Sequence, residues 1–363
     1  LKKLIRELQP NCLINSRLGL SIEEDPDVDF KELGDNSLGD KKEEFPWQSP
    51  ATVAHSWGFH ATDSEWKSTT TLLKSLINNV SLNGNLLLNI GPRANGDVPW
   101  EIQQRLLEMG NWLEINGESV YGAGAFELPK NQHDWGKITC KKVGEKTRLY
   151  FHVFDWPLNK KLVVTGISSK PEKMWLLSDK EKHPLKFRHE GAFTEIELPD
   201  IQPGHFLSVI AAEYVSNPEI SEGLAAKTNS GGYSLLPGNQ ISAFSPGILL
   251  KKEKYGTIPE HIAIDKPETL TWKIYVDTPG KKYFDISYSN QNNTGNPAKI
   301  ILQAAGSEIS ALAKPTGKTV GEPNENWVID NFASLRIGEI NFPEEGFYLI
   351  KMQIIPSPND ILK

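Results

Sequence analysis

The sequence predicts a multidomain protein that opens as parallel α/β structure and continues as all-β. Three observations carry that expectation. Residues 81–92, S-L-N-G-N-L-L-L-N-I-G-P, read as a buried strand set between two helical patterns. From about residue 125 the apolar residues regroup into short stretches at hairpin spacing. At 363 residues the chain exceeds one ordinary domain, so two or three are expected.

Taken in order, residues 1–8 read as a helix that Pro10-Asn11 breaks, and Cys12 to Asn15 reads as a short strand. The polar segment 18–50 is long for a structureless loop, and such loops are usually functional. Ala51 to Ser56 is a second expected strand, followed by Trp57-Gly58-Phe59. Leu72, Leu73, Leu76, Ile77 and Val80 then recur at helical spacing, and Gly84 is expected at the positive-φ position that ends the helix. Asn85 to Ile90 is too short and too apolar for a helix and is expected to be fully buried. Pro99 opens the next helix, with Glu101 in its first turn and Ile102, Leu106, Leu107 and Leu113 on one face, ending at Asn116-Gly117.

Seven strands are expected at 136–142, 147–154, 160–165, 172–177, 184–188, 192–198 and 206–213, an antiparallel sandwich. After Asn217-Pro218, strands are expected at 269–277, 282–289, 298–304, 326–331, 335–341 and 346–355. The predicted domains are thus 1–124, 125–216 and 217–363.

Composition narrows the function. With 39 basic against 46 acidic residues the formal charge is −7, which disfavours nucleic acid as a partner. No apolar run approaches the roughly 20 residues of a membrane-spanning helix. Cys12 and Cys140 fall in different predicted domains and read as two separate thiols. The histidines are scattered without metal-ligand spacing, and Gly91 to Gly96 lacks the Gly-Lys-Ser/Thr ending of a phosphate loop.

In parallel α/β folds the chemistry sits at the carboxyl ends of strands. The residues just past those ends are Arg17, Trp57 with Phe59, and Asn89 with Arg93, while the 18–50 loop adds Asp29, Glu32 and Asp35. An arginine, aromatics and carboxylates around one mouth suit a sugar, because rings stack on aromatics and glycoside cleavage uses carboxyl groups. On composition alone an acidic loop is more often just a solvated surface, and a single Trp57 more often core than platform.

The runs Leu13-Ile14-Asn15-Ser16-Arg17, Asp29-Phe30, Pro46-Trp47, Ser56-Trp57-Gly58-Phe59, Val80 through Pro92, and Asn116-Gly117-Glu118-Ser119-Val120-Tyr121-Gly122 go further. Together they resemble the C-terminal half of the catalytic barrel of the α-L-fucosidase family of retaining glycoside hydrolases. The resemblance implies a partial (β/α)8-type barrel, followed by the antiparallel β-sandwich and a second, jelly-roll-like β domain. It implies release of fucose from a fucosylated oligosaccharide or glycoconjugate, with no cofactor, because two carboxyl groups suffice. It also implies that the nucleophilic aspartate lies upstream of the first residue here, so the sequence is expected to begin inside a longer protein. Export to the periplasm or outside the cell is expected by the same resemblance.

Residue by residue, Arg17 matches the arginine lining the sugar pocket and Trp57 the aromatic that packs on fucose. The acid/base position departs from the family pattern: counting forward from Asp29 reaches Gly34, and counting back from Leu38 reaches Asp35. Asp35 is the favoured acid/base, with Glu32, Glu43 and Glu44 as alternatives. Gln48 stands where the family often has Glu. These departures leave open a catalytically inactive glycan-binding relative, and a hydrolase preferring galactosides is a third reading. The last β domain is similar to jelly-roll carbohydrate-binding modules. There Trp272, Tyr283 and Tyr348 are expected in the core, and Trp327 and the Asn290–Asn296 loop are its candidate ligand contacts.

Overall fold

The computed structural model describes residues 1–25, 27–39, 41–126, 128, 133–221, 224–227, 232–236, 250–251, 261–290, 296–317, 331–358 and 361–363. Strands dominate, and the described residues hold three α-helices, all before residue 117.

The opening unit contains α1 (Lys2–Leu8), β1 (Lys31–Glu32), β2 (Trp47–Thr52), α2 (Thr69–Val80), β3 (Gly84–Asn89) and α3 (Trp100–Asn116). β1, β2 and β3 form one parallel sheet in that order, with Glu32 opposite Gln48, Gln48 opposite Asn85, and Thr52 opposite Asn89. Side chains alternate across such a sheet. Val53, Leu88 and Ile90 pack with Leu72, Leu73 and Ile77 of α2. The opposite face carries Asn85, Leu87 and Asn89 and is open among the described residues: Leu87 is 49% exposed. β3 is therefore buried on one face only, not on both as its apolar run suggests.

Other expectations for this unit shift as well. Cys12 to Asn15 is extended but forms no strand, making a single bridge from Asn15 to Phe30 before a 3₁₀ turn at Ser16–Leu18. The second strand is Trp47–Thr52 rather than Ala51 to Ser56, because the chain pairs with β1 and β3 from Trp47 onward and bends after Thr52. The positive φ after α2 falls on Asn83 (68°), and Gly84 begins the strand. Gly84 is needed there for space: a Cβ would come within 2.2 Å of the Trp47 indole. Along α3 the buried apolar positions are Ile102, Met109 and Trp112, whereas Leu107 is 63% exposed. Trp112 sets that face, since its indole N–H donates to Leu207 O at 2.7 Å.

The next segment adds β4 (Gly124–Ala125), β5 (Gly136–Val143), β6 (Lys146–Val153), β7 (Lys161–Thr165), β8 (Lys173–Leu176), β9 (Phe187–Glu190), β10 (Phe193–Glu197) and β11 (Ser208–Tyr214). The five-stranded sheet runs β4-β5-β6-β11-β8 and the three-stranded one β7-β10-β9, with antiparallel pairing in both. Trp135, Leu149, Phe151, Leu162, Ile196 and Ile210 form one core drawn from both sheets. The alternate residues of the larger sheet, Tyr150, Trp175, Val209 and Ala211, instead join the core of α2 and α3. The larger sheet is buried on both faces, and that shared core fixes the opening unit to it.

The remaining strands are β12 (Ala226–Lys227), β13 (Tyr233–Ser234), β14 (Leu250–Lys251), β15 (His261–Ile262), β16 (Glu268–Val276), β17 (Gly280–Tyr288), β18 (Ala298–Ala304), β19 (Ser307–Ala313), β20 (Ala333–Phe342) and β21 (Gly346–Ile355). A four-stranded sheet, β16-β21-β18-β19, and a two-stranded ribbon, β17-β20, share a core around Trp272, Ile300, Phe342 and Ile350. Tyr348 is half-buried beside that core. Tyr283 is not a core residue; it is 61% exposed, with the Arg336 guanidinium 4.9 Å from its ring centre. Strand β19 was not expected from the sequence. Trp327, residues 291–295 and most of the expected 326–331 strand lie outside the described residues.

Candidate active site

The site residues gather where the parallel strands end. Asn15 accepts the Arg17 backbone N–H at 3.1 Å and fixes the 3₁₀ turn that carries Arg17. The Arg17 guanidinium meets Asp35, Nη2 to Oδ1 at 2.5 Å, and also approaches Leu33 O at 3.5 Å. Both side chains of this ion pair are about half exposed. The Asp35 carboxylate holds the Arg17 pKa above its ordinary value. The following residue anchors the loop: Asn36, at φ 55°, donates its N–H to Pro50 O at 2.9 Å and accepts from Thr52 N at 3.4 Å. Asp35 is thereby tied to the carboxyl end of β2.

The same end holds the aromatics. Asn89 Nδ2 donates to Trp57 O at 2.6 Å, joining the end of β3 to the Trp57 loop. Gly91 lets that loop lie close, since a Cβ there would be 2.7 Å from Phe59 N. Trp57 and Phe59 are both partly exposed, and the Arg93 guanidinium stacks 5.5 Å from the Phe59 ring centre. Lys67 Nζ donates to Thr52 O at 2.7 Å, and Asp63 accepts the Glu65 N–H at 3.1 Å. Backbone hydrogen bonds hold the Asp63 carboxyl below its ordinary pKa. Asn36, Thr52, Asp63 and Lys67 are the residues sequence reasoning passed over. The Asp35-Asn36 pair was a turn signal, since Asn tolerates positive φ.

Glu32 ends β1 beside the Arg17 turn, its N–H donating to Ser16 Oγ at 3.0 Å. Its Oε2 accepts from Asn15 Nδ2 at 3.1 Å and from Gln48 Nε2 at 2.8 Å, and its register partner is Gln48. Asp29 accepts the Ile14 N–H at 2.6 Å and Arg6 Nη2 at 2.8 Å, which depress its pKa and bind the first helix to the sheet. Glu43 lies within 3.8 Å of Lys31 and 3.9 Å of Lys41.

A cavity of about 820 Å³ lies between the inward faces of the final two sheets, around Trp272, Phe284 and Ile350. Its walls are the apolar core of that unit. None of the candidate residues Arg17, Asp35, Trp57 and Phe59 lines it.

Comparison with known proteins finds relatives of one kind. Residues 1–118 match the family model described as Alpha-L-fucosidase. The Dictyostelium discoideum alpha-L-fucosidase is 30% identical over 205 residues, 56% of this chain and 42% of that protein. The rat plasma alpha-L-fucosidase is 33% identical over 119 residues, 32% of this chain and 26% of that protein. This chain thus spans less than half the length of either relative. The crystal structure of a Vibrio sp. alpha-L-fucosidase superposes with TM-score 0.61 at 22% identity, covering 99% of this chain and 62% of that one, a likeness of fold. Isoenzyme 1 from Paenibacillus thiaminolyticus superposes with TM-score 0.52 at 31% identity, covering 61% of this chain and 53% of that one. The part of this chain that is similar to the α-L-fucosidase family is thus its opening 118 residues.

Proposed function

We propose that this chain supplies the acid/base and sugar-contacting part of a retaining, exo-acting α-L-fucosidase. Its nucleophile and remaining barrel strands come from a segment upstream of the first residue here. The observation that carries the reading is the meeting of Arg17 and Asp35 at the carboxyl end of a parallel sheet, on a loop that Asn36 ties to Thr52, whose hydroxyl in turn donates to Ser56 O next to Trp57. The open face of β3, with Leu87 half exposed, suits further strands packing on that side. Three parallel strands cannot close a barrel by themselves.

In this reading Asp35 protonates the leaving oxygen and then, as carboxylate, takes a proton from the attacking water. A carboxyl group about 5–5.5 Å away serves as nucleophile. Arg17 contacts the sugar hydroxyls and Trp57 covers its apolar face. Glu32 is placed second because its carboxylate is held by the side-chain amides of Asn15 and Gln48.

The test is hydrolysis of an aryl and an alkyl α-L-fucoside by the protein with its upstream segment, beside Asp35→Asn. The variant should lose ~10²-fold or more on the alkyl substrate, whose leaving group needs a proton, and far less on the aryl one. No turnover of either substrate by the unmutated protein removes the enzymatic reading. Full alkyl activity in Asp35→Asn removes Asp35 from the role.

A further inference from the structure

We propose that Thr52 and Asn89, the last facing pair of β2 and β3, form a clamp that positions Trp57 against the sugar; this rests on the function proposed above. The Trp57 ring is 38% exposed and joins none of the apolar cores among the described residues, so the path of its backbone decides where it points. That backbone is held by side chains at three successive carbonyls. Thr52 Oγ1 donates to Ser56 O at 3.0 Å, Asn89 Nδ2 to Trp57 O at 2.6 Å, and Ser56 Oγ to Gly58 O at 2.7 Å. Gly91 closes the same loop from the other side, since a Cβ there would lie 2.8 Å from Gly58 C.

The two donors also hold each other. Thr52 faces Asn89 in the register, and Asn89 Nδ2 lies 3.4 Å from Thr52 Oγ1. A hydroxyl has one proton and two lone pairs, and all three are taken at Thr52. The proton goes to Ser56 O, and the oxygen accepts from Asn89 Nδ2 and from Ala54 N, each at 3.4 Å. Thr52 is also 2% exposed, so it has neither the access nor the spare capacity to touch a substrate. The Asn89 amide spends both its hydrogens on Trp57 O and Thr52 Oγ1. The pair are therefore positioning residues. Their effect is to fix the Trp57 segment on the rigid ends of two strands before a sugar arrives, which spares binding the cost of ordering it.

The test uses the protein with its upstream segment and an aryl α-L-fucoside. Thr52→Val keeps the shape of the side chain and removes its hydroxyl, whereas Thr52→Ser keeps the hydroxyl. Thr52→Val and Asn89→Ala should each lower kcat/KM roughly 3- to 10-fold, mainly through KM, and Thr52→Ser should recover most of the loss. In a Trp57→Ala background Thr52→Val should cost nothing further, because the ring it positions is gone. An undiminished cost in that background, or an unchanged KM in both single variants, overturns the clamp while leaving the hydrolase reading intact. A second measurement needs no turnover. Amide hydrogen exchange in the peptide spanning residues 55–60 should be faster in Thr52→Val and Asn89→Ala than in the unmutated protein, with exchange in α2 and α3 unchanged. Equal exchange in that peptide, or faster exchange throughout the opening unit, overturns the clamp whether or not a fucoside is turned over. Absence of turnover by the unmutated protein removes the hydrolase reading separately.

Discussion

Gly84 lies directly against the Trp47 indole: the two residues face each other across β2 and β3, and a Cβ on Gly84 would be 2.2 Å from two indole carbons. Trp47 is fully buried and its N–H donates to Leu82 O at 3.0 Å, so the ring cannot yield. Gly84→Ala is therefore expected to destabilise by ~1–3 kcal/mol through overpacking. Gly110 in α3 is the contrasting position, with nothing within 4 Å of its would-be Cβ. Gly110→Ala should stabilise by up to ~1 kcal/mol through helix propensity. Urea denaturation of both variants measures the opposed signs, and equal effects would refute the packing argument.

Glu118 ties α3's end to the five-stranded sheet. Its Oε1 accepts from Arg148 Nη1 at 2.6 Å and from Tyr150 Oη at 2.7 Å, and Arg148 Nε continues to Glu213 at 2.9 Å. Burial works to raise the Glu118 pKa, but the hydrogen bonds from Tyr150 and Arg148 outweigh it and hold the group below its ordinary value. A depressed carboxyl stabilises the fold above its unfolded pKa, near 4.5, and that stability is lost as pH falls through the folded value. Glu118→Gln should cost about 1–2 kcal/mol at neutral pH, discounted for partial exposure, and less below pH ~4. Denaturation at both pH values checks it, and a cost that does not shrink in acid would contradict the assignment.

His133 and His152 are buried neutral. His133 Nε2 accepts the Thr165 N–H at 2.9 Å, and burial lowers its pKa to about 4. His152 Nε2 meets Thr139 Oγ1 at 2.9 Å, and burial lowers its pKa to about 3. The unfolded chain takes up these protons below about pH 6.5 while the folded protein does not, so stability falls as pH drops through that window. Each histidine should add a slope approaching ~1.4 kcal/mol per pH unit between about 6 and 4. His152→Gln should flatten the curve by one histidine's share, and an unchanged slope would place the acid sensitivity elsewhere.

The β-rich segments were the most legible part of the sequence. All seven strands expected between 136 and 213 have counterparts, because alternation and turn residues are local signals. The opening unit was less legible where long-range contacts decide. Nothing near Gly84 announces Trp47, whose indole moves the positive φ to Asn83 and leaves Gly84 in the strand. Leu107 fits an apolar stripe in α3, yet Trp112's bond to Leu207 turns another face inward. β19 escaped because its inward residues, Ile309, Ala311 and Ala313, are mostly small. At the site, Arg17, Asp35 and Trp57 could each be picked by residue type and motif. Their relation could not, since the Arg17–Asp35 contact depends on the path of the intervening loop. Glu32's pairing with Gln48 is a matter of register, which that loop also sets.

Tyr275 joins the segment of β9 and β10 to the final sheets. Its ring stacks on Phe193 at 4.3 Å between centres and meets Phe347 edge-on at 4.8 Å. Its hydroxyl is 2.8 Å from Glu190 Oε2 and 2.6 Å from Glu345 Oε1, with one proton to offer the two carboxylates. Burial and these acceptors push the hydroxyl pKa above its ordinary range, so it remains a donor at working pH. Arg188 pairs with Glu345 and lies 5.5 Å from the Tyr275 ring centre, which offsets the negative charge. Tyr275→Phe keeps the stacking but leaves the carboxylates without that donor, an expected loss of about 1–2 kcal/mol. Tyr275→Ala removes the aromatic contact as well and should cost ~3–5 kcal/mol in coupling and packing together. Calorimetric unfolding should then resolve the final sheets as a separate, earlier transition. A single transition as cooperative as that of the unmutated protein would mean other contacts hold the two segments together.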